Sequence, residues 1–242
     1  TVISLDVNNQ SISDLTGIED FASLITLNCY QNSIVSLDVS ANVVLDYLNC
    51  SSNQLTFLDV SGAIALTDIR CNLNLLTTLD VSVNTSLIKL YCQNNSLTSL
   101  DVSGNTSLSY LVIFNNSLIA LDVANGNNTN FSSFEATNNP NLTCINVDDD
   151  VWSTTNWTNI DLQHTFSTNC NGATICAQTT FVPDDNFENY LETHDANGNT
   201  VLIGDPTSMG DGIALNDSVC TANINTVISL DVNNQSISDL TG

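Results

Sequence analysis

The sequence predicts a β-rich solenoid, a right-handed coil of 21-residue turns carrying a parallel β-sheet and little helix. Three observations predict it. The triplet Leu-Asp-Val recurs at Leu37, Leu58, Leu79, Leu100 and Leu121, always at the same spacing. Cysteine recurs in the same step at Cys29, Cys50, Cys71 and Cys92, with Ile113 filling the next slot. Asparagine follows at Asn32, Asn53, Asn74, Asn95 and Asn116. A fixed period of this length marks stacked supersecondary units, and a hydrophobic content of 42% supplies a continuous core.

Each element of the turn has a physical reason, read most easily from residues 87–107, LIKLYCQNNSLTSLDVSGNTS. Side chains two apart share one face of a strand, so Leu90 and Cys92 point inward while Lys89, Tyr91 and Gln93 point outward. The second half of the unit, Leu-x-x-Leu-Asp-Val, mimics the first. One turn cannot bury its own apolar edge; turns stacked about 4.8 Å apart bury each other's. The asparagine at the first corner can bond backbone groups of adjacent turns as a buried polar ladder. Ser103, Gly104 and Asn105 crowd the second corner, where a tight bend is required.

This pattern, LxxLxCxxNxLxxLDVSxNxx, resembles the leucine-rich repeat, in particular its short, irregular 21-residue class, over about seven turns from Ile3 to Val147. Residues 141–170 leave the period and resemble the C-terminal cap of leucine-rich-repeat surface proteins of the Bacteroidota, with their Cys-Ile-x-Val-Asp-Asp…Asn-Trp…Cys sequence. Residues 181–200 resemble the N-terminal cap of the same proteins. There Pro183 with Asp184 or Asp185 would start a short helix over Asn186 to Glu192, since carboxylates cap free N–H groups. The resemblance implies secretion to the cell surface and a role in binding or adhesion, without specifying a ligand.

A second, longer repeat overlies the first. Residues 226–242, TVISLDVNNQSISDLTG, are identical to residues 1–17, at an offset of 225. The sequence is therefore read as repeats over 1–147, a C-terminal cap over 148–170, a linker over 171–180, the N-terminal cap of a following module over 181–225 and its first repeat over 226–242.

Charge excludes some partners. Two basic residues, Arg70 and Lys89, stand against 26 acidic ones, a formal net of −24. Such a surface repels nucleic acid and anionic membrane, both of which need Lys or Arg to neutralise phosphates. No run of about 18 apolar residues exists to span a bilayer. Catalysis finds no support either. His164 and His194 fall in different caps with no nucleophile motif nearby, and no fingerprint for phosphate, dinucleotide or zinc-protease chemistry is present. Trp152 and Trp157 read as cap core. No cofactor is required, and no enzymatic activity is expected.

The eight cysteines fall into two groups. Cys29, Cys50, Cys71 and Cys92 take an inward slot, one per turn, and read as buried free thiols packing as small hydrophobes. Cys144 and Cys170 bracket one cap, Cys176 and Cys220 the other. Caps lack a core of their own and gain most from cross-links, so the expected disulfides are Cys144–Cys170 and Cys176–Cys220, which suit an extracellular compartment.

Three constellations are candidates for binding. Asp6, Asp38, Asp59, Asp80, Asp101 and Asp122 form an outward ladder in which neighbours about 4.8 Å apart repel by roughly 1 kcal/mol even in water. Backbone N–H groups, the Ser40, Ser61, Ser82 and Ser103 hydroxyls, or bound cations must offset this. Asp195, Asn197 and Asn199, followed by Asp205 and Asp211, place carboxylate and amide oxygens around glycines as Ca2+ loops do, although the EF-hand spacing is not met. A Ca2+ site and a plain turn region both remain open there. Finally, Tyr30, Tyr47, Tyr91, Tyr110 and Phe114 stand outward on the first strands with both basic residues, Arg70 and Lys89. Aromatic rings with arginine on a concave face are the usual composition of a binding patch; alternatively the rings only stack on neighbouring turns and Asp68 pairs with Lys89. The leading functional expectation is a structural module of a long extracellular fibre or stalk, its neighbours being copies of itself end to end. The alternative is a cell-surface adhesion module binding protein or glycan on that face.

Overall fold

In a computed structural model, the described residues are 1–170 and, beyond them, Thr179–Phe181, Phe187, Tyr190, Leu191, His194, Thr200 and Ser218–Cys220. The chain divides into two compact units, Thr1–Thr168 and Asn169–Gly242. The first is a parallel β-solenoid of 21-residue turns, as the period predicts. Its strands are β1 (Ser4–Asp6), β2 (Thr26–Asn28), β3 (Ser36–Asp38), β4 (Tyr47–Asn49), β5 (Phe57–Asp59), β6 (Asp68–Arg70), β7 (Lys89–Tyr91), β8 (Ser99–Asp101), β9 (Tyr110–Val112), β10 (Ala120–Asp122), β11 (Ser133–Glu135), β12 (Cys144–Asn146) and β13 (Thr165–Ser167), with one helix, α1 (Asp150–Asn156), before the last. In the second unit β14 (Thr179–Phe181) and β15 (Ser218–Cys220) pair antiparallel.

Each turn contributes to two sheets. The first halves form a seven-stranded parallel sheet in the order β1-β2-β4-β6-β7-β9-β11. Its register places Leu27, Leu48, Ile69, Leu90 and Leu111 in one inward column, all fully buried. Cys29, Cys50, Cys71 and Cys92 stack behind them, free and buried, with the Cys50 and Cys71 thiols directed at the Arg70 and Tyr91 carbonyls at 3.5 Å. Burial pushes Cys29 and Cys71 up to about 12, so these thiols stay protonated and act as core.

The corner asparagines provide the cross-links between turns. Asn74 Oδ1 accepts from Leu55 N at 2.9 Å, while its Nδ2 donates to Cys50 O and Cys71 O at 3.1 and 3.0 Å. Asn53, Asn95, Asn116 and Asn139 repeat the arrangement. The residue before each of these, and before Asn32 in the first full turn, is left-handed: Gln31, Ser52, Leu73, Asn94, Asn115 and Asn138 have φ between 53 and 58°. Asparagine tolerates this conformation, whereas a leucine does so at a cost of about 1–2 kcal/mol. Leu73, half exposed, is therefore strained in a way that the sequence pattern hides. The Leu73→Asn variant is expected to gain about 1 kcal/mol, read as a higher urea midpoint with an unchanged slope; no gain would show that the position is not strained.

The second halves do not form one sheet. β3 pairs with β5, and β13-β12-β10-β8 form another sheet, but Thr78–Asp80 between them is in neither. The break has a local cause. Asn84 and Asn105 donate back to the preceding turn, to Val60 O and Ala63 O and to Val81 O and Asn84 O. Ala63 holds the equivalent place one turn earlier and carries no such donor. Beside it Gly62 lies against the previous turn so closely that a Cβ would meet Ser40 O at 1.9 Å, whereas at Gly104 the corresponding contact, Ser82 O, is 3.4 Å away. That corner has closed onto the turn before it. Leu58 and Leu79 at the break are each 8% exposed, against 2% for Leu37 and 1% for Leu100. Gly62→Ala should accordingly destabilise by about 2 kcal/mol or more, as overpacking against backbone does, while Gly104→Ala should change the thermal midpoint by under about 2 °C. Equal effects would remove this account of the break.

Two short 3-10 turns, Ile18–Asp20 and Asn128–Asn130, fall in the irregular repeats. The steps from Ser4 to Thr26 and from Tyr110 to Ser133, each a pair in register, are longer than the regular period, and these turns absorb the extra length. The cap beyond the repeats continues the coil. α1 is N-capped by Asp149, whose carboxylate accepts from Trp152 N at 2.8 Å, and β13 then extends the second sheet alongside β12. Trp157 stacks on Phe134 with ring centroids 4.1 Å apart and also touches Phe131, Phe166 and Trp152. Cys144 and Cys170 are disulfide-bonded, as expected. Cys176 lies outside the described residues, and with it the pairing to Cys220.

Candidate functional site

The outward face of the first sheet gathers the predicted binding residues in three columns. Register aligns Tyr47, Asp68, Lys89 and Tyr110 in one, and Asn49, Arg70, Tyr91 and Val112 in the next. The third lies at the corner, where successive backbone bonds link Tyr30, Ser51, Asn72, Gln93 and Phe114. The same alternation that buries Leu48, Ile69 and Leu90 thus sets these side chains on the opposite face.

Within this grid the charges and rings interlock. Arg70 donates from Nε and Nη2 to the two Asp68 carboxylate oxygens, both at 3.1 Å. Its guanidinium carbon lies 5.3 Å from the Tyr47 ring centroid and 5.0 Å from that of Tyr91, two cation–π contacts on either side. Tyr91 in turn packs on Tyr110, with centroids 4.9 Å apart and a 38° tilt. The Asp68 bonds push the Arg70 guanidinium further up. Burial first, and then the Tyr110 hydroxyl, raise Tyr91, so Tyr91 is a neutral phenol beside a fixed cation.

The structure corrects one pairing. Asp68 stands opposite Lys89 in register, yet its carboxylate turns along its own strand to Arg70, which offers a planar two-point donor at shorter reach. Lys89 makes no ion pair among the described residues. Tyr30 and Phe114 are not brought to this cluster; they sit in the corner column four turns apart, at either end of it.

The aspartate ladder resolves into local bonds. Asp38, Asp59, Asp80 and Asp101 each accept from the backbone N–H of the serine two residues on, at 2.8–2.9 Å, and Asp122 does the same with Ala124. Asp6 accepts from the backbone and side chain of Asn8. Residues Asp195, Asn197, Asn199, Asp205 and Asp211 lie outside the described residues. Among the described residues no group of three metal-ligating side chains gathers.

Sequence reasoning passed over two further aspartates. Asp161 accepts from Asn138 N and Asn139 N at 2.8 Å, terminating the corner ladder, and Asp148 accepts from Gly126 N and Asn128 N in the second corner. Burial pushes the Asp161 carboxyl up, but the two N–H donors and nearby His164 outweigh it, and the group titrates below its usual range. Because these residues sit beyond the last regular repeat, no period flags them.

The fold and face together define a parallel β-solenoid of 21-residue turns with an aromatic, cation-bearing sheet face. No family model matches the chain, and no curated protein matches it. Among solved structures, it is similar to the functional domain of InlJ from Listeria monocytogenes, described as including a cysteine ladder, at 30% identity and a TM-score of 0.45, over 60% of this chain and 39% of that one. It is also similar to internalin C2 from Listeria monocytogenes at 21% identity and a TM-score of 0.44, over 68% of this chain and 80% of that one. The chain thus spans well under half of the InlJ chain it matches. No helix of the described residues is long and apolar enough to cross a membrane.

Proposed function

We propose that this chain is an extracellular recognition or adhesion module that binds its partner on the outward face of the first sheet, around Tyr47, Arg70, Lys89, Tyr91 and Tyr110. One observation carries the reading: both basic residues of a chain with net charge −24 stand on adjacent strands of one face, and one is held between two tyrosine rings. Core packing does not require this, since outward side chains leave the buried columns unchanged. Arginine and tyrosine are also the residues most enriched where binding energy concentrates. The disulfide supports an oxidising, extracellular setting.

The triple variant Tyr47→Ala/Tyr91→Ala/Tyr110→Ala tests it. Binding of the purified chain to a panel of immobilised surface proteins and polysaccharides should fall at least about tenfold, on the order of 1.4 kcal/mol, with the thermal transition retained. Undiminished binding by the folded variant would sink the reading.

A second reading concerns the array. The identity of residues 1–17 with 226–242 favours tandem units, repeating at that offset, that form a fibre or stalk. The two are compatible, since a row of weak sites gains avidity from effective concentration. Imaging the native protein distinguishes them: flexibly tethered beads count against a fibre and leave recognition standing.

A further inference from the structure

We infer that the Lys89 patch takes an anionic sugar residue of a polysaccharide, one bearing a carboxylate or a sulfate. The inference deepens the recognition reading and rests on it. It starts from an unpaired cation. In a chain with 26 carboxylates, Lys89 is the one basic side chain that touches none among the described residues. Asp68, its neighbour in register, is held by Arg70 through both oxygens. The Asp68–Arg70 pair cancels its own charge, so Lys89 is the uncompensated charge of β6 and β7, while Asp6 and Glu135 stand on the end strands of the same sheet and the rest of the aspartate row lies in the second halves of the turns. At physiological salt, fields decay over about 8 Å, and the local cation governs what docks beside it.

The surroundings of Lys89 specify the rest of the ligand. Tyr110 stands next to it in register on β9, and Tyr91 follows it two residues on along β7. Tyr91 is engaged by both Arg70 and Tyr110, so the Tyr110 ring, next to Lys89 in register, is the one to meet the C–H side of a sugar ring. Around them the half-buried amides of Asn49 and Asn72 can donate toward sugar hydroxyls. Rings, amides and one uncompensated ammonium side by side match a saccharide, which presents C–H faces, hydroxyls and an acid group on a single residue.

The long-range field gives a distinctive sign. The whole chain repels an anionic polymer at distances beyond the Debye length, so salt that screens this repulsion should speed association. A basic ligand would show the opposite.

The test uses the full chain and oligosaccharides of equal length: oligogalacturonate, neutral galacto-oligosaccharide and a heparin-derived oligomer. Calorimetry should find at least one anionic oligomer bound about tenfold or more tightly than the neutral one, with galacturonate or heparin preference identifying carboxylate or sulfate. Lys89→Gln should abolish that preference and leave the thermal midpoint in place. The association rate should rise between about 20 and 150 mM salt. Equal affinity for neutral and anionic oligomers, binding of none of them, or a preference that survives Lys89→Gln overturns the inference. If no saccharide binds while the triple tyrosine variant loses a protein partner, the ligand class falls and the recognition face stands. If that variant still binds whatever the wild type binds, the face falls as well.

Discussion

Replacing Asn74 with alanine is expected to cost the fold on the order of 2–4 kcal/mol. The side chain is buried, and its removal leaves Leu55 N inside the coil without a partner and takes one of two donors from each of Cys50 O and Cys71 O, which keep Asn53 and Asn95. A buried donor abandoned in this way costs about 1–3 kcal/mol, and each lost bond to a carbonyl that keeps its other donor adds about 0.5–1.5 kcal/mol before the corner relaxes. Asn74→Asp, which keeps the shape, should cost at least as much, because a carboxylate faces the two carbonyls where the amide donated to them. Equilibrium urea unfolding measures both. A loss below about 1 kcal/mol in the alanine variant would show that the ladder is not what ties the turns together.

The Trp157→Ala variant is expected to lose about 3–5 kcal/mol from the cap, the range found for removing a large buried aromatic side chain. Trp157 is 5% exposed and contacts Phe131, Phe134, Phe166 and Trp152. A solenoid is stabilised turn by turn through nearest neighbours, so the loss should be local. Hydrogen exchange should accelerate in β11, β12 and β13 while β4, β6 and β7 keep their protection. Trp157→Phe should be far milder, since Trp157 Nε1 is already buried without a partner and phenylalanine removes that unmet donor. Uniform acceleration throughout the coil would mean that this cluster is not a terminal cap.

Much of this architecture was legible because it depends on period. Leu90 and Cys92 are inward and Lys89 and Tyr91 outward for the same reason, strand alternation, and the 21-residue step stacks each column on itself. Columns of aromatic and basic residues on one face followed directly, as did the buried thiols. The break in the second sheet was not legible. Ala63 in an asparagine slot and Gly62 beside it look like ordinary variation in a repeat, and only their packing on Ser40 shows that the corner has closed.

The partner of Asp68 shows the same limit at the site. The spacing of one turn offered Lys89, yet two residues along the strand Arg70 provides a two-point donor that also lies between rings. Asp148 and Asp161 went unmarked because they act once, at the end of a coil, where no repetition advertises them.

The sequence by itself therefore determined the coil, its inward columns and the face on which rings and cations stand, since a strict period translates one turn's chemistry along the whole stack. Tertiary structure decided which charges pair, which cation is left over and where the stacking fails. Those outcomes depend on distances of a few tenths of an ångström between side chains in neighbouring turns, and such distances are set by packing rather than by spacing along the chain.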